Sequence, residues 1–109
     1  MNQPQIQFGN RNHSGDYPAS DDEAAVVTIS AEANRTHVID RVVCSYDADP
    51  TGGRITVVIG GVTKFDQFIT HAGLAPLDLG VWGGANEAAV ITLAAGGTNV
   101  TGKLDVFYL

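Results

Sequence analysis

Positive charge is scarce in this chain: six Lys and Arg stand against twelve Asp and Glu, a formal net charge of −6 over 109 residues. The cations, Arg11, Arg35, Arg41, Arg54, Lys64 and Lys103, form no cluster. A basic stripe that could neutralise phosphates is therefore missing, and no nucleic-acid partner is expected. Cysteine is almost absent, and Cys44 alone cannot close an internal disulfide. Its setting, Val42-Val43-Cys44-Ser45-Tyr46, marks it as a small buried hydrophobe suited to a reducing compartment. Long apolar runs are also missing. No stretch approaches the roughly 20 residues of a membrane helix, and no apolar h-region follows Met1. These absences predict a soluble product with no membrane partner and no secretion signal. Charged residues of both signs make up 17% of the chain, against a usual share of about 25%. The surface must therefore carry many small polar and apolar groups, which suits contact with other subunits.

Catalytic signatures are missing as well. His13, His37 and His71 lie far apart, without the short spacing of a zinc motif. His13, Ser14 and Asp16 fall in a polar N-terminal stretch that would not hold a triad in place, and there is no G-x-S-x-G elbow. The glycine-rich segments lack both the P-loop lysine and the G-x-G-x-x-G pattern. Asp47-Ala48-Asp49-Pro50-Thr51-Gly52 resembles the start of a calcium loop, but position twelve, where a bidentate Glu is needed, is Val58. Pro50 favours a plain turn there. Asp21-Asp22-Glu23 reads as a solvated acidic run. Asn12-His13-Ser14, Asn34-Arg35-Thr36 and Asn99-Val100-Thr101 match the glycosylation pattern but read as turn asparagines beside strand threonines. No catalytic, metal-ligating or cofactor-binding residue is predicted, and a non-enzymatic protein is expected.

What the chain does have is glycine in pairs, at Gly52-Gly53, Gly60-Gly61, Gly83-Gly84 and Gly96-Gly97. Between them run short segments with a period of two, the pattern of half-buried strands. Val27, Ile29 and Ala31 alternate with Thr28 and Ser30; Val42, Cys44 and Tyr46 alternate with Arg41, Val43 and Ser45. Arg54 to Ile59, Gly60-Gly61 and Val62 to Thr70 spell a hairpin with a two-residue loop. Ala75 to Leu79 offers a short strand broken by Pro76, and Gly80 to Asn86 a glycine-rich loop carrying Trp82. Ala89, Ile91, Leu93 and Ala95 give a further strand, and Val100, Leu104, Val106 and Tyr108 the inward face of the last. No stretch of 11 or more residues holds a helical period, although Asp21 to Val27 leaves room for one helical turn. The prediction is an all-β chain, an antiparallel β-sandwich of jelly-roll type with seven to eight strands, spanning residues 24–109.

Residues 1–23 are rich in Asn, Gln, Gly, Pro, Ser and Asp, with Ile6, Phe8 and Tyr17 as the only large apolar groups. Such a segment cannot fold by itself. It is expected either to trail as a tail or to dock as an extended arm, the alternation Gln5-Ile6-Gln7-Phe8 adding a strand to a sheet edge. Phe65 and Phe68 have opposite parity, so one of them faces outward unless a bulge intervenes. Trp82 reads as a contact anchor, as a platform for stacking on a sugar, or as a loop residue folded back on the end of the sandwich.

Asn86 to Gly97, with Val100-Thr101-Gly102-Lys103-Leu104-Asp105-Val106, resembles small structural proteins of tailed bacteriophages, as does His37-Val38-Ile39-Asp40 leading to Ser45-Tyr46 and Pro50-Thr51-Gly52-Gly53. These are similar to the jelly-roll decoration, or cement, proteins of phage heads. The resemblance implies a virion protein on the capsid exterior, made in the host cytoplasm, without a cofactor. It implies two partners, the major capsid protein and further copies of itself, as a homotrimer before a homodimer. Ile6, Phe8, Tyr17, Phe65 and Trp82 are the expected partner-binding residues. The alternative is a carbohydrate- or receptor-binding sandwich of a phage tail or surface complex, with Trp82 stacking on sugar. A hydrolase assembled at a subunit interface would need His37 or His71 to meet carboxylates there.

Overall fold

A computed structural model describes residues 11–109. The described chain forms eight strands: β1 (Asn12–Asp16), β2 (Ala25–Ile29), β3 (Val38–Tyr46), β4 (Arg54–Ile59), β5 (Val62–Phe68), β6 (Gly73–Trp82), β7 (Ala89–Leu93) and β8 (Gly102–Tyr108). All pairings are antiparallel, in two four-stranded sheets ordered β1-β8-β3-β6 and β2-β7-β4-β5. Successive strands alternate between sheets except at the β4–β5 hairpin. This is the connectivity of an eight-stranded jelly roll.

Alternation along each strand builds the core. Ala25, Val27 and Ile29, then Ile55, Val57 and Ile59, then Ala89, Ile91 and Leu93 point from one sheet; Val42, Cys44, Tyr46, Leu104 and Val106 meet them from the other. These side chains, mostly β-branched, fill the space between the layers and exclude water, the main favourable term in folding. In β3 the alternation shifts by one, because Ile39 and Arg41 pair with Tyr108 and Phe107 and leave Asp40 extra against β8. The bulge turns both Ile39 and Val42 inward.

The β4–β5 hairpin turns at Gly60 and Gly61 with φ of 58° and 79°. Positive φ at both central residues is the type I′ geometry that matches strand twist. Asn34 and Asn99 also adopt positive φ, at 62° and 64°, which fits their reading as turn residues. Several local expectations need correction. Asn12 is not a turn residue: with the rest of β1 it leaves the expected arm of residues 1–23 and pairs with β8 as an edge strand of the sandwich. Ala31 lies exposed beyond the end of β2, and no helical turn forms at Asp21 to Val27. The segment at Pro76 is not a short broken strand but part of the ten-residue β6, which carries Trp82 at its end rather than in the following loop. Pro76 is tolerated because β6 is an edge strand, where a missing N–H breaks no ladder.

Tyr46 fastens the sheets together at one end. Its hydroxyl donates to the Ala94 carbonyl at 2.6 Å and accepts from the Arg54 amide at 3.4 Å, joining β3 to backbone flanking β7 and β4. The carboxylates of the Asp47 to Gly52 turn are likewise structural, since that of Asp47 accepts from the Thr101 amide and that of Asp49 from the Ala72 amide.

Candidate functional site

The two edges of the sandwich are unlike. On one side the Asp16 carboxylate at the end of β1 accepts the Val26 amide of β2 at 2.8 Å, so the sheets are tied across the gap. On the other side β5 and β6 form the lips of an open edge. The inward row of β6, Ala75, Leu77, Leu79 and Val81, is only half-buried, although the rows beside it in β3 and β4 are sealed from water. In β5, Phe65 pairs with Val57 and lines the same gap, while Val62 and Gln67 sit opposite the inward-facing Ile59 and Ile55. Lys64 is the extra residue of a bulge between Phe65 and Thr63.

Large apolar side chains are exposed at several points along this edge: Phe68, opposite Arg54 on the outer face of one sheet, is 78% exposed; Leu74 and Trp82, opposite Ser45 and Val38 on the outer face of the other, are 70% and 62% exposed; and Val62, opposite the inward-facing Ile59, is 55% exposed. Two clefts flank them. One of about 340 Å³ lies where the chain crosses from β5 to β6 and is lined by Ile55, Gln67, Phe68, His71, Leu74 and Leu77 among others. The other, about 360 Å³, lies between Lys64, Gly80, Val81 and Trp82. Ten residues of strand give the edge a length of about 30 Å.

The scaffold holds these exposed groups in place. Arg54 forms a fork with the Asp66 carboxylate, with Nε at 2.7 Å from Oδ1, and its guanidinium lies 5.9 Å from the Phe68 ring centroid. The hydrogen bonds from Arg54 lower the Asp66 pKa, and those to Asp66 raise that of Arg54. Asp49, through the Ala72 amide at 2.8 Å, anchors the β5–β6 crossing. At the other end the Glu87 carboxylate accepts the Gly84 amide at 2.6 Å, bracing the turn that follows Trp82.

The expected partner-binding residues do not gather at one place. Ile6 and Phe8 lie outside the described residues. Tyr17 is exposed at the opposite edge, where its hydroxyl donates to Asp105, which also bonds His13 Nε2 at 2.7 Å. That hydrogen bond raises the Tyr17 pKa. Phe65 and Trp82 do share the open edge, Phe65 inside its wall and Trp82 projecting rather than folded back. Phe68 is the outward partner that the parity of the two phenylalanines required. Leu74, Val62 and Gln67 gave no sequence signal, because their placement depends on which strands end up at the edge.

Chemistry at the edge is apolar. Among the described residues no three His, Cys, Asp or Glu side chains converge on a point. His37 is 1% exposed, with Nε2 at 2.8 Å from the Ser30 carbonyl and its ring edge-on to Tyr108, so it cannot meet a carboxylate across an interface. Burial explains Cys44 similarly, pushing its thiol up to about 11 and leaving it inert.

The sequence matches no protein-family description and no curated protein. Among solved structures the chain is similar to the CBM36-1 domain of a multidomain xylanase from the hindgut metagenome of Trinervitermes trinervoides, at 12% identity and a TM-score of 0.49, covering 86% of this chain and 73% of that one. A carbohydrate-binding module CBM36 in complex with calcium and xylotriose gives 22% identity, a TM-score of 0.43, and coverage of 87% and 76%. A family 35 carbohydrate-binding module from an environmental isolate gives 15%, 0.40, and coverage of 81% and 65%. The chain's own strand pairing defines its fold more closely than these distant likenesses do.

Proposed function

We propose that this is a non-enzymatic assembly protein, a decoration or cement module that binds the outside of a phage head and stabilises contacts between major capsid subunits. The observation that carries the reading is the open β5/β6 edge, where Val62, Phe68, Leu74 and Trp82 stand in water on a braced scaffold. Several large apolar side chains left in water along one braced edge are candidate contact points for a partner. The lining of that edge offers aromatic and aliphatic anchors of the kind that dominate protein interfaces. The resemblance of residues 86–106 to phage structural proteins supplies the virion context.

The test is cosedimentation of the purified protein with phage heads. Binding at high, lattice-like stoichiometry supports the reading, and failure to cosediment refutes it. The arm needs its own variant. Removing residues 2–20 would strip β1 from β8, so a deletion of residues 2–10 separates attachment by the arm from loss of the sheet edge. A second reading, a carbohydrate-binding module, is favoured by one observation: the exposed Trp82 indole beside a cleft of about 360 Å³. Trp82 is the only tryptophan, so its emission reports sugar binding directly in titrations against a glycan panel. A saturable change supports this reading, and a flat response across the panel removes it.

A further inference from the structure

We propose that the cleft between Lys64 and Trp82 binds a sugar carrying a single carboxylate, a uronic acid residue at the end of a glycan. This rests on the carbohydrate-binding reading above and names its ligand class. Charge is the first argument. Each of the four arginines is matched by a carboxylate: Arg11 by Asp40 at 3.0 Å, Arg35 by Glu32 at 3.7 Å, Arg41 by Asp78 at 3.5 Å, and Arg54 by Asp66 in the fork already described. The two lysines are different. Neither has a carboxylate at ion-pairing distance among the described residues. Lys103 lies opposite Ser45 on an outer face and borders neither cleft, whereas Lys64 lines the one that Trp82 also lines. An unmatched cation in a chain of net charge −6 is thus placed beside the only tryptophan.

The backbone explains how Lys64 comes to be there. It is the extra residue of the β5 bulge, between Thr63 opposite Val58 and Phe65 opposite Val57, and a bulge re-aims the side chain it carries. The other walls suit a sugar. Trp82 is 62% exposed, and the negative face of an indole attracts the polarised C–H groups of a pyranose. Gly80 has a φ of 63° and open space where a Cβ would stand, so its backbone is reachable by a ligand. It belongs to an edge strand, whose unpaired side offers N–H and C=O groups to hydroxyls. Val81 closes the lining, and the volume of about 360 Å³ lies at the small end of the roughly 300–1,000 Å³ usual for ligand sites.

The number of charges selects among anions. One ammonium is a compact point charge, without the planar fork that grips two oxygens at once. The surrounding field of a −6 chain repels a ligand more strongly the more negative it is. Glu87, which follows the turn after Trp82, gives its carboxylate to the Gly84 amide and is not part of the lining. A single carboxylate on a ring therefore fits, and a phosphate or a run of uronates does not.

The experiment titrates the full chain with methyl glucoside, methyl glucuronide and glucose phosphate, following Trp82 emission. The first two differ only in a hydroxymethyl group against a carboxylate. The glucuronide is expected to bind about fivefold more tightly than the glucoside at low salt, the upper range for an exposed ion pair, with the advantage shrinking as salt is added. Lys64→Gln should bring the glucuronide down to the affinity of the glucoside and leave the glucoside unchanged; Lys103→Gln should alter neither. Equal affinities for the two sugars, or an advantage that survives Lys64→Gln, overturn the inference and leave the carbohydrate reading standing. Glucose phosphate binding as tightly as the glucuronide overturns the carboxylate assignment. A flat response to all three removes the carbohydrate reading itself, and this inference with it.

Discussion

Replacing Tyr46 with Phe isolates one link between the sheets. The ring is 2% exposed and packs so closely that a Cβ on Gly96 would stand 2.9 Å from it and one on Gly102 3.3 Å. Phenylalanine keeps that packing and removes only the hydroxyl. What is lost is the 2.6 Å bond to the Ala94 carbonyl and the longer 3.4 Å contact from the Arg54 amide. A buried neutral hydrogen bond contributes about 0.5–1.5 kcal/mol net, and a partner left unsatisfied costs about 1–3 kcal/mol. The Arg54 amide contact is too long to add much, so the expected loss is about 2 kcal/mol. For a domain of this size that corresponds to a fall of roughly 10 °C in Tm. Urea unfolding followed by far-UV circular dichroism should show a lower midpoint at an unchanged slope, since the surface exposed on unfolding is the same. A loss below about 0.5 kcal/mol would refute the claim that this hydroxyl fastens the layers.

Two further outcomes follow from the titratable groups. The Cys44 thiol, ordinarily at 9.0, is pushed up to about 11 by burial, so its folded value lies above its unfolded one. Keeping the neutral thiol stabilises the fold fully below about pH 9, and that advantage shrinks as pH climbs toward 11. Urea midpoints across this window should fall more steeply for the wild type than for Cys44→Ala; parallel curves would contradict it. Asp105→Asn removes the carboxylate that holds both His13 and Tyr17. Amides of β1 should then exchange faster while those of β3 keep their protection, and Tyr17 should titrate lower because the hydrogen bond that raises its pKa is weakened. Unchanged exchange in β1 would show that its pairing with β8 suffices alone.

Local rules carried far in this chain. Period-two alternation is a property of the extended backbone itself, so the alternating faces of β2, β7, β8 and the second half of β3 were legible before any neighbour was known. Gly60-Gly61 specified its hairpin for the same reason, since only residues free of a Cβ clash enter that turn readily. Where the chain departs from strict alternation, local rules stop. The bulge at Asp40 follows from register against β8, more than 60 residues away in sequence, and Pro76 reads as a breaker until its strand is known to be an edge. The candidate site shows the same division. That Phe65 and Phe68 face opposite ways was fixed by parity, and that Trp82 is the one tryptophan was plain. That they share an open edge with Leu74 and Val62 was decided only by the order of strands in the two sheets, because an edge is defined by which pairings do not form. The sequence by itself set which residues turn inward; the tertiary structure alone decided which inward row was left without a cover.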